Sequence, residues 1–270
     1  MAGAAQARPC EEASDRVSER DAAFPALVAR AQACRRCPRM AGRRRVLGPG
    51  NGPLDARVLF VAEAPGRFGG DRTAVPLEGD RSGATFAYLL AAAGLDRGAL
   101  FVTNAVLCNP RDPVGRNARP SPAELRNCSD HLAAQIAVLD PPWVVALGHT
   151  ALRALALLAP HGVRLAADVG HPRQWYGRHL VPLYHPGPRA LIRRPLAVQV
   201  EDYRRLAALV AASESLQHQQ ALAGGQSDGL GTARGTEFRQ NGPDVEFHRV
   251  LADDEAQGDS LVGQALSHQR

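Results

Sequence analysis

Residues 57–66 read Arg-Val-Leu-Phe-Val-Ala-Glu-Ala-Pro-Gly. Val58 to Ala62 is an unbroken apolar run, too short for a self-burying helix and rich in β-branched and aromatic residues. Such a run suits a strand covered on both faces. Glu63-Ala64-Pro65-Gly66 ends it, and a polar, glycine-rich loop continues to about Asp80. The same pattern recurs downstream. Leu100 to Val106, Trp143 to Leu147 and His179 to Tyr184 read as further short strands. Between them lie helical stretches: Ala84 to Ala93 with Ser82 as its cap, Pro122 to about Leu139, and Thr150 to Leu158. Ser121-Pro122-Ala123-Glu124 is a capping box with proline at the first helical position. A long amphipathic helix, roughly Val198 to Ala212, closes the pattern, and a short one over Phe24 to Ala33 precedes it.

Strands alternating with helices predict an α/β fold, a three-layer sandwich around a central, mainly parallel, four-stranded sheet. Ligands of such folds bind beyond the carboxyl ends of the strands. The residues expected there are Glu63, Asn104, Gly148 and His185. Topology alone thus gathers a carboxylate, an amide and an imidazole around one cleft. The expected boundaries are a disordered N-terminal arm over 1–20, one domain over 21–212, and a disordered acidic tail over 213–270, rich in Gln, Gly, Ser and Asp.

Composition narrows the function classes. The 270-residue chain is 45% hydrophobic and 22% charged, ordinary for a globular protein. No apolar run is long enough for a membrane span, and the charged N-terminus lacks the apolar core of a secretory signal. A soluble, cytoplasmic protein is expected, with no membrane partner. All 32 basic residues are arginine, as a GC-rich codon bias produces. Their placement says more. Residues 211–270 hold 4 arginines against 9 acidic residues, net −5, and the remainder holds 28 against 18, net +10. A basic body suits a polyanionic partner.

Cysteines stand at 10, 34, 37, 108 and 128. Cys34-Arg-Arg-Cys37 is a C-x2-C pair, and Cys108 and Cys128 follow as C-x19-C. An odd number without a secretory signal argues against a disulfide framework. Thiolates at this spacing suit Zn²⁺ or a [4Fe–4S] cluster, and spacing does not choose between them.

Taken in order, the motifs resemble a known family. Glu63-Ala64-Pro65-Gly66, Thr103-Asn104-Ala105-Val106-Leu107-Cys108, Val145-Ala146-Leu147-Gly148 and Tyr184-His185-Pro186 resemble those of the thermophile-type, iron–sulfur family 4 of the uracil-DNA glycosylase superfamily. The resemblance covers about Cys34 to Leu206. Gly79-Asp80-Arg81-Ser82-Gly83 looks closer to the related family 5.

The resemblance implies a monofunctional hydrolase that cleaves the N-glycosidic bond of uracil in DNA and leaves an abasic site. Its partner would be uracil-containing DNA, which would hold a monomeric protein at the nucleoid. It also implies that Cys34, Cys37, Cys108 and Cys128 ligate a [4Fe–4S] cluster. His185 would hydrogen-bond the uracil oxygen, and Glu63 would position water or stabilise the cationic sugar. Asn104 would read the polar edge of the base, with backbone groups of Ala64 and Gly66 adding bonds. Leu77 stands where the family usually has a phenylalanine that stacks on the flipped base, and Phe68 is a candidate substitute. One acidic residue usual downstream of the first motif is replaced by Gly70. Arg189 or Leu191, in the loop after His185, would fill the hole left by an extruded base. Arg43, Arg44, Arg45, Arg193 and Arg194 are candidates for phosphate contacts. Two other readings compete: a catalytically inert iron–sulfur nucleic-acid-binding protein of the same fold, and a small-molecule α/β enzyme. The loop after the first strand lacks GxGxxG and Walker patterns, which weakens the latter.

Overall fold

The computed structural model describes residues 9–225. The elements run α1 (Pro9–Gln32), β1 (Val58–Ala62), α2 (Gly70–Thr73), α3 (Arg81–Ala92), β2 (Leu100–Asn104), α4 (Pro122–Leu139) and β3 (Trp143–Leu147). They continue with α5 (His149–Ala156), α6 (Leu165–Asp168), β4 (Arg173–Trp175), β5 (Arg178–Leu183), α7 (Pro188–Arg193) and α8 (Leu196–Gly225). The described residues up to 222 form one compact unit, and the described residues 223–225 belong to a second.

The sheet has five strands in the order β2-β1-β3-β5-β4. The first four are mutually parallel, with Ala62 beside Asn104 and Leu147 beside Leu183. Each residue of β1, β2 and β3 is buried, as strands sandwiched between helices require. Alternate side chains serve opposite faces. Leu59, Val61, Phe101, Val144 and Ala146 pack with α1, α4 and α5. Phe60, Val102, Val145 and Val181 pack with α3 and α8 on the other face. The three-layer α/β sandwich expected from the sequence is therefore present.

Several boundaries differ from expectation. The sheet has a fifth strand, β4, antiparallel to β5. Its three residues include a single buried one, Trp175, so it carries no apolar run to read. Tyr176 and Gly177, at φ +50° and +71°, form the tight connection, the left-handed pair that matches hairpin twist. The second strand ends at Asn104 rather than Val106, and the last at Leu183 rather than Tyr184. Asp80, not Ser82, caps α3, its Oδ1 accepting from the Gly83 amide at 3.0 Å. Ser121 and Glu124 form the expected box at α4.

Helix α1 begins at Pro9, inside the segment expected to be disordered, and α8 runs on past Ala212 to Gly225. Both extensions are polar stretches of good helix formers such as Ala, Glu, Gln and Arg, which lack an apolar period but favour helix locally. The rest of the expected arm and tail, 1–8 and 226–270, lies outside the described residues. Among the described residues no helix is long and apolar enough to cross a membrane.

Tyr203 of α8 anchors one core face. It is fully buried, with Phe60 at 6.1 Å and Phe86 at 6.3 Å between ring centroids. Its hydroxyl has no hydrogen-bond partner among the described residues, and burial pushes its pKa far up, so it stays protonated. An unpaired buried hydroxyl costs about 1–3 kcal/mol. Tyr203→Phe should therefore raise the thermal unfolding midpoint, with a gain of about 1 kcal/mol. A lowered midpoint would contradict this.

Candidate active site

Four parallel strands end on one edge, and their order sets out the side chains beyond it. Asn104 is the last residue of β2, Glu63 follows β1, Gly148 follows β3, and His185 lies just past β5. The edge thus reads amide, carboxylate, glycine, imidazole. Gly148 takes φ +91°, which a side chain would strain, and a Cβ there would stand 3.6 Å from His185 Cβ.

Asn104 is 2% exposed. Its Nδ2 is buried and donates to no acceptor among the described residues. Native proteins rarely leave such a donor unpaired. Glu63 is half-buried, and its Oε2 accepts from Thr150 Oγ1 in the first turn of α5 at 2.5 Å. Thr150 carried no sequence signal, because only the strand order brings α5 to the end of β1.

Desolvation lowers the pKa of His185, and the Glu63 and Asp80 carboxylates oppose that shift. The result lies below the ordinary histidine value, so the imidazole is neutral at neutral pH. A Cβ on Gly187 would fall 2.9 Å from His185 Nδ1 and 3.3 Å from Ser82 Oγ. The glycine lets the chain pass close to the ring. Asp80 is a second carboxylate that the sequence reading used only as part of a motif.

The loop after Glu63 is held from outside. Asn109 Nδ2 donates to the Pro65 carbonyl at 2.6 Å and to Asn117 Oδ1 at 3.0 Å, and that oxygen also accepts from the Arg67 amide. Arg67 Nη1 reaches the Gly115 carbonyl at 3.1 Å. Asp80 Oδ2 packs so closely that a Cβ on Gly66 or Gly69 would come within 2.3 or 2.5 Å of it. Ala64 and Gly66 are half-buried in this loop. Phe68 is 59% exposed with the Arg67 guanidinium over its ring at 4.3 Å. Leu77 is half-buried against the α3 face and takes φ +52°, a left-handed conformation that costs a non-glycine residue about 1–2 kcal/mol.

Beyond His185 the chain forms α7, a six-residue helix with no buried residue. Arg189 is exposed and Leu191 half-buried, whereas Ile192 is 83% exposed. Arg194 does not stand free for phosphate: it pairs with Asp202. Arg44 is bonded to Asp71, and Arg45 to the carbonyls of Ala41, Arg43 and Cys34. Partial desolvation, then the charges of Arg119 and Arg193, lower the pKa of His149 at the start of α5. Arg119 and His149, which the sequence did not single out, thus join Arg193 beside the start of α5.

Cys34, Cys37, Cys108 and Cys128 are unpaired and half-buried, and all four line one small hollow. They come from the segment after α1, the segment after β2, and α4. The Leu107 amide donates to Cys128 Sγ at 3.4 Å, and Asn127 Nδ2 to Cys37 Sγ at 3.5 Å. Burial pushes the thiols of Cys108 and Cys128 up to about 11 and about 12. Arg36 and Arg39 flank the hollow, paired with Asp130 and Glu124. Among the described residues no three His, Cys, Asp or Glu side chains form a group that could hold a metal ion. Four thiol side chains around one hollow are the donor chemistry of a zinc or an iron–sulfur site.

Comparison with known proteins agrees with this architecture. The model of the Uracil DNA glycosylase superfamily matches residues 49–207. A Type-4 uracil-DNA glycosylase of Thermotoga maritima is 35% identical, over 58% of this chain and 78% of the relative. A Type-5 uracil-DNA glycosylase of Thermus thermophilus is also 35% identical, over 59% and 85%. A Type-4 uracil-DNA glycosylase of Pyrobaculum aerophilum is 32% identical, over 60% and 81%. The matched region runs from the loop before β1 into α8; the chain belongs to the uracil-DNA glycosylase superfamily.

Proposed function

We propose that the protein hydrolyses the N-glycosidic bond of uracil in DNA and leaves an abasic site. The observation that carries this reading is the buried, unpartnered Nδ2 of Asn104, beside Glu63 on the sheet edge that also carries His185. An idle buried donor costs stability unless a ligand supplies its acceptor, and a uracil carbonyl is such an acceptor. The target base leaves the stack and enters the cleft. Asn104 pairs with its polar edge, Ala64 and Gly66 offer backbone groups, and Leu77 or Phe68 covers its face. As the bond to C1′ breaks, negative charge grows on the base and positive charge on the sugar. The neutral His185 imidazole donates to the base oxygen, and the Glu63 carboxylate, oriented by Thr150, faces the sugar and the attacking water. Asp80 adds a second negative charge near the ring. An inert binder would have no use for this set.

Ile192, with Arg189 and Leu191 beside it, fills the vacated place in the duplex; its exposure favours it as the inserted residue. Arg43, Arg119 and Arg193 meet phosphates, and the net +10 of residues 1–210 supplies the general attraction. The protein acts as a monomer on genomic DNA. Cys34, Cys37, Cys108 and Cys128 would hold a [4Fe–4S] cluster. When bound it would supply a cross-link between three chain segments, and no step of the hydrolysis passes through it.

A uracil-containing oligonucleotide under enzyme excess tests the site. His185→Ala and Glu63→Ala should each slow single-turnover excision about 10²–10³-fold, with the dissociation constant nearly unchanged, because both act on charges present mainly in the transition state. Unchanged rates in both variants would refute the assignment. The pH profile follows from the depressed His185 pKa. The neutral imidazole persists as pH falls through the ordinary histidine value of about 6.5. Excision should therefore hold level to that point and fall only in more acidic buffer. Finally, the purified protein should be brown, and Cys128→Ser should lose both iron and thermal stability. A colourless wild-type protein loaded with zinc would exclude the cluster.

A further inference from the structure

Helix α7 is unusual in how it is held. It has six residues, none of them buried, and so short a helix is unstable by itself in water. No apolar face anchors it, yet it presents Ile192 at 83% exposure. Its attachment is polar. Arg194, immediately after the helix, places Nε and Nη2 on the two carboxylate oxygens of Asp202, the Nη2–Oδ1 contact being 2.6 Å. The Asp202 side chain is 4% exposed and that of Arg194 is 23% exposed. Gln199 Nε2 donates to the Arg194 carbonyl at 2.9 Å. The guanidinium also lies 5.6 Å from the ring centroid of Tyr184, the residue before His185. Asp202 precedes the fully buried Tyr203, so the clamp is rooted where α8 packs into the core.

We propose that the Arg194–Asp202 pair is a positioning clamp that holds α7 in place to enter duplex DNA, and registers that entry with His185 through Tyr184. The inference rests on the glycosylase reading above. A buried ion pair is weak as a source of stability, since its desolvation cost largely cancels its attraction. A bidentate guanidinium–carboxylate pair instead fixes geometry, because its two parallel bonds define direction as well as distance. Prying a base from a stacked duplex needs a wedge that does not yield. A uracil already outside a stack needs none, so the clamp should matter for one substrate and not for the other.

The test measures single-turnover excision from two oligonucleotides: uracil paired with adenine in a duplex, and uracil within an unpaired bubble. Asp202→Asn keeps the shape of the side chain and removes its charge. It should slow excision from the duplex at least tenfold and leave the bubble rate within about twofold. Arg194→Lys, which keeps the charge but cannot make the bidentate pair, should show the same split, and it serves as the test if Asp202→Asn fails to fold. The duplex penalties of Asp202→Asn and Ile192→Ala should combine less than multiplicatively, since both act through α7. Equal losses on the two substrates, no loss on either, or fully multiplicative penalties would each overturn the clamp. Absence of excision by the wild-type protein would instead overturn the glycosylase reading.

Discussion

The parallel pairing of β2, β1, β3 and β5 is the constraint on which the rest of the molecule depends. Because these neighbours run the same way, their chains all leave the sheet at one edge. Each strand must then cross back through a helix, and those helices cover both faces. Burial of both faces excludes water from the backbone, so the pairing cannot slip without stranding hydrogen-bonding groups. The cleft lies just beyond this rigid edge, where Asn104, Glu63 and His185 inherit fixed starting points from the strands.

Strand ends alone do not aim side chains, and a polar framework does the remainder. Asn109, Asn117 and Asp80 grip the loop after Glu63 from outside, while Thr150 fixes one carboxylate oxygen. Conformational strain occurs here too, as it does at Asp140 and Tyr176 elsewhere in the fold. Leu77 and Ala74 take left-handed backbone angles, and Gly148 needs one beside His185. Strain persists where the surrounding structure over-determines it, and such positions cluster at functional sites. The idle Nδ2 of Asn104 belongs to the same class, a local cost that a bound base would relieve.

Two further devices tie peripheral segments to this frame. The cysteine hollow joins the segment after α1 to the end of β2 and to α4, on the face served by the first core cluster. The Arg194–Asp202 pair joins α7 to α8, whose packing belongs to the opposite face. Helix α7 buries no residue of its own, so its attachment is polar.

Much of this was legible in the sequence. The runs at 58–62, 100–106 and 143–147 declared themselves as buried strands because double-sided burial leaves few polar positions, though the second stops at Asn104. Ser121 and Glu124 announced a helix start through their own mutual bonds. The positions of Glu63, Asn104, His185 and the four cysteines followed from strand ends and spacing. The three-residue β4 was invisible, since a strand so short carries no period. The helical extensions of α1 and α8 were missed because local propensity without an apolar face resembles disorder in a composition count. The partnerships were beyond sequence altogether. Thr150 lies 87 residues from Glu63, and Arg194 looked like any surface arginine until folding set Asp202 against it. Sequence determines which segments must be buried, because burial is a property of each residue type. Only the tertiary structure decides which polar groups meet, because a hydrogen bond depends on the relative position of two segments that the chain pattern does not encode locally.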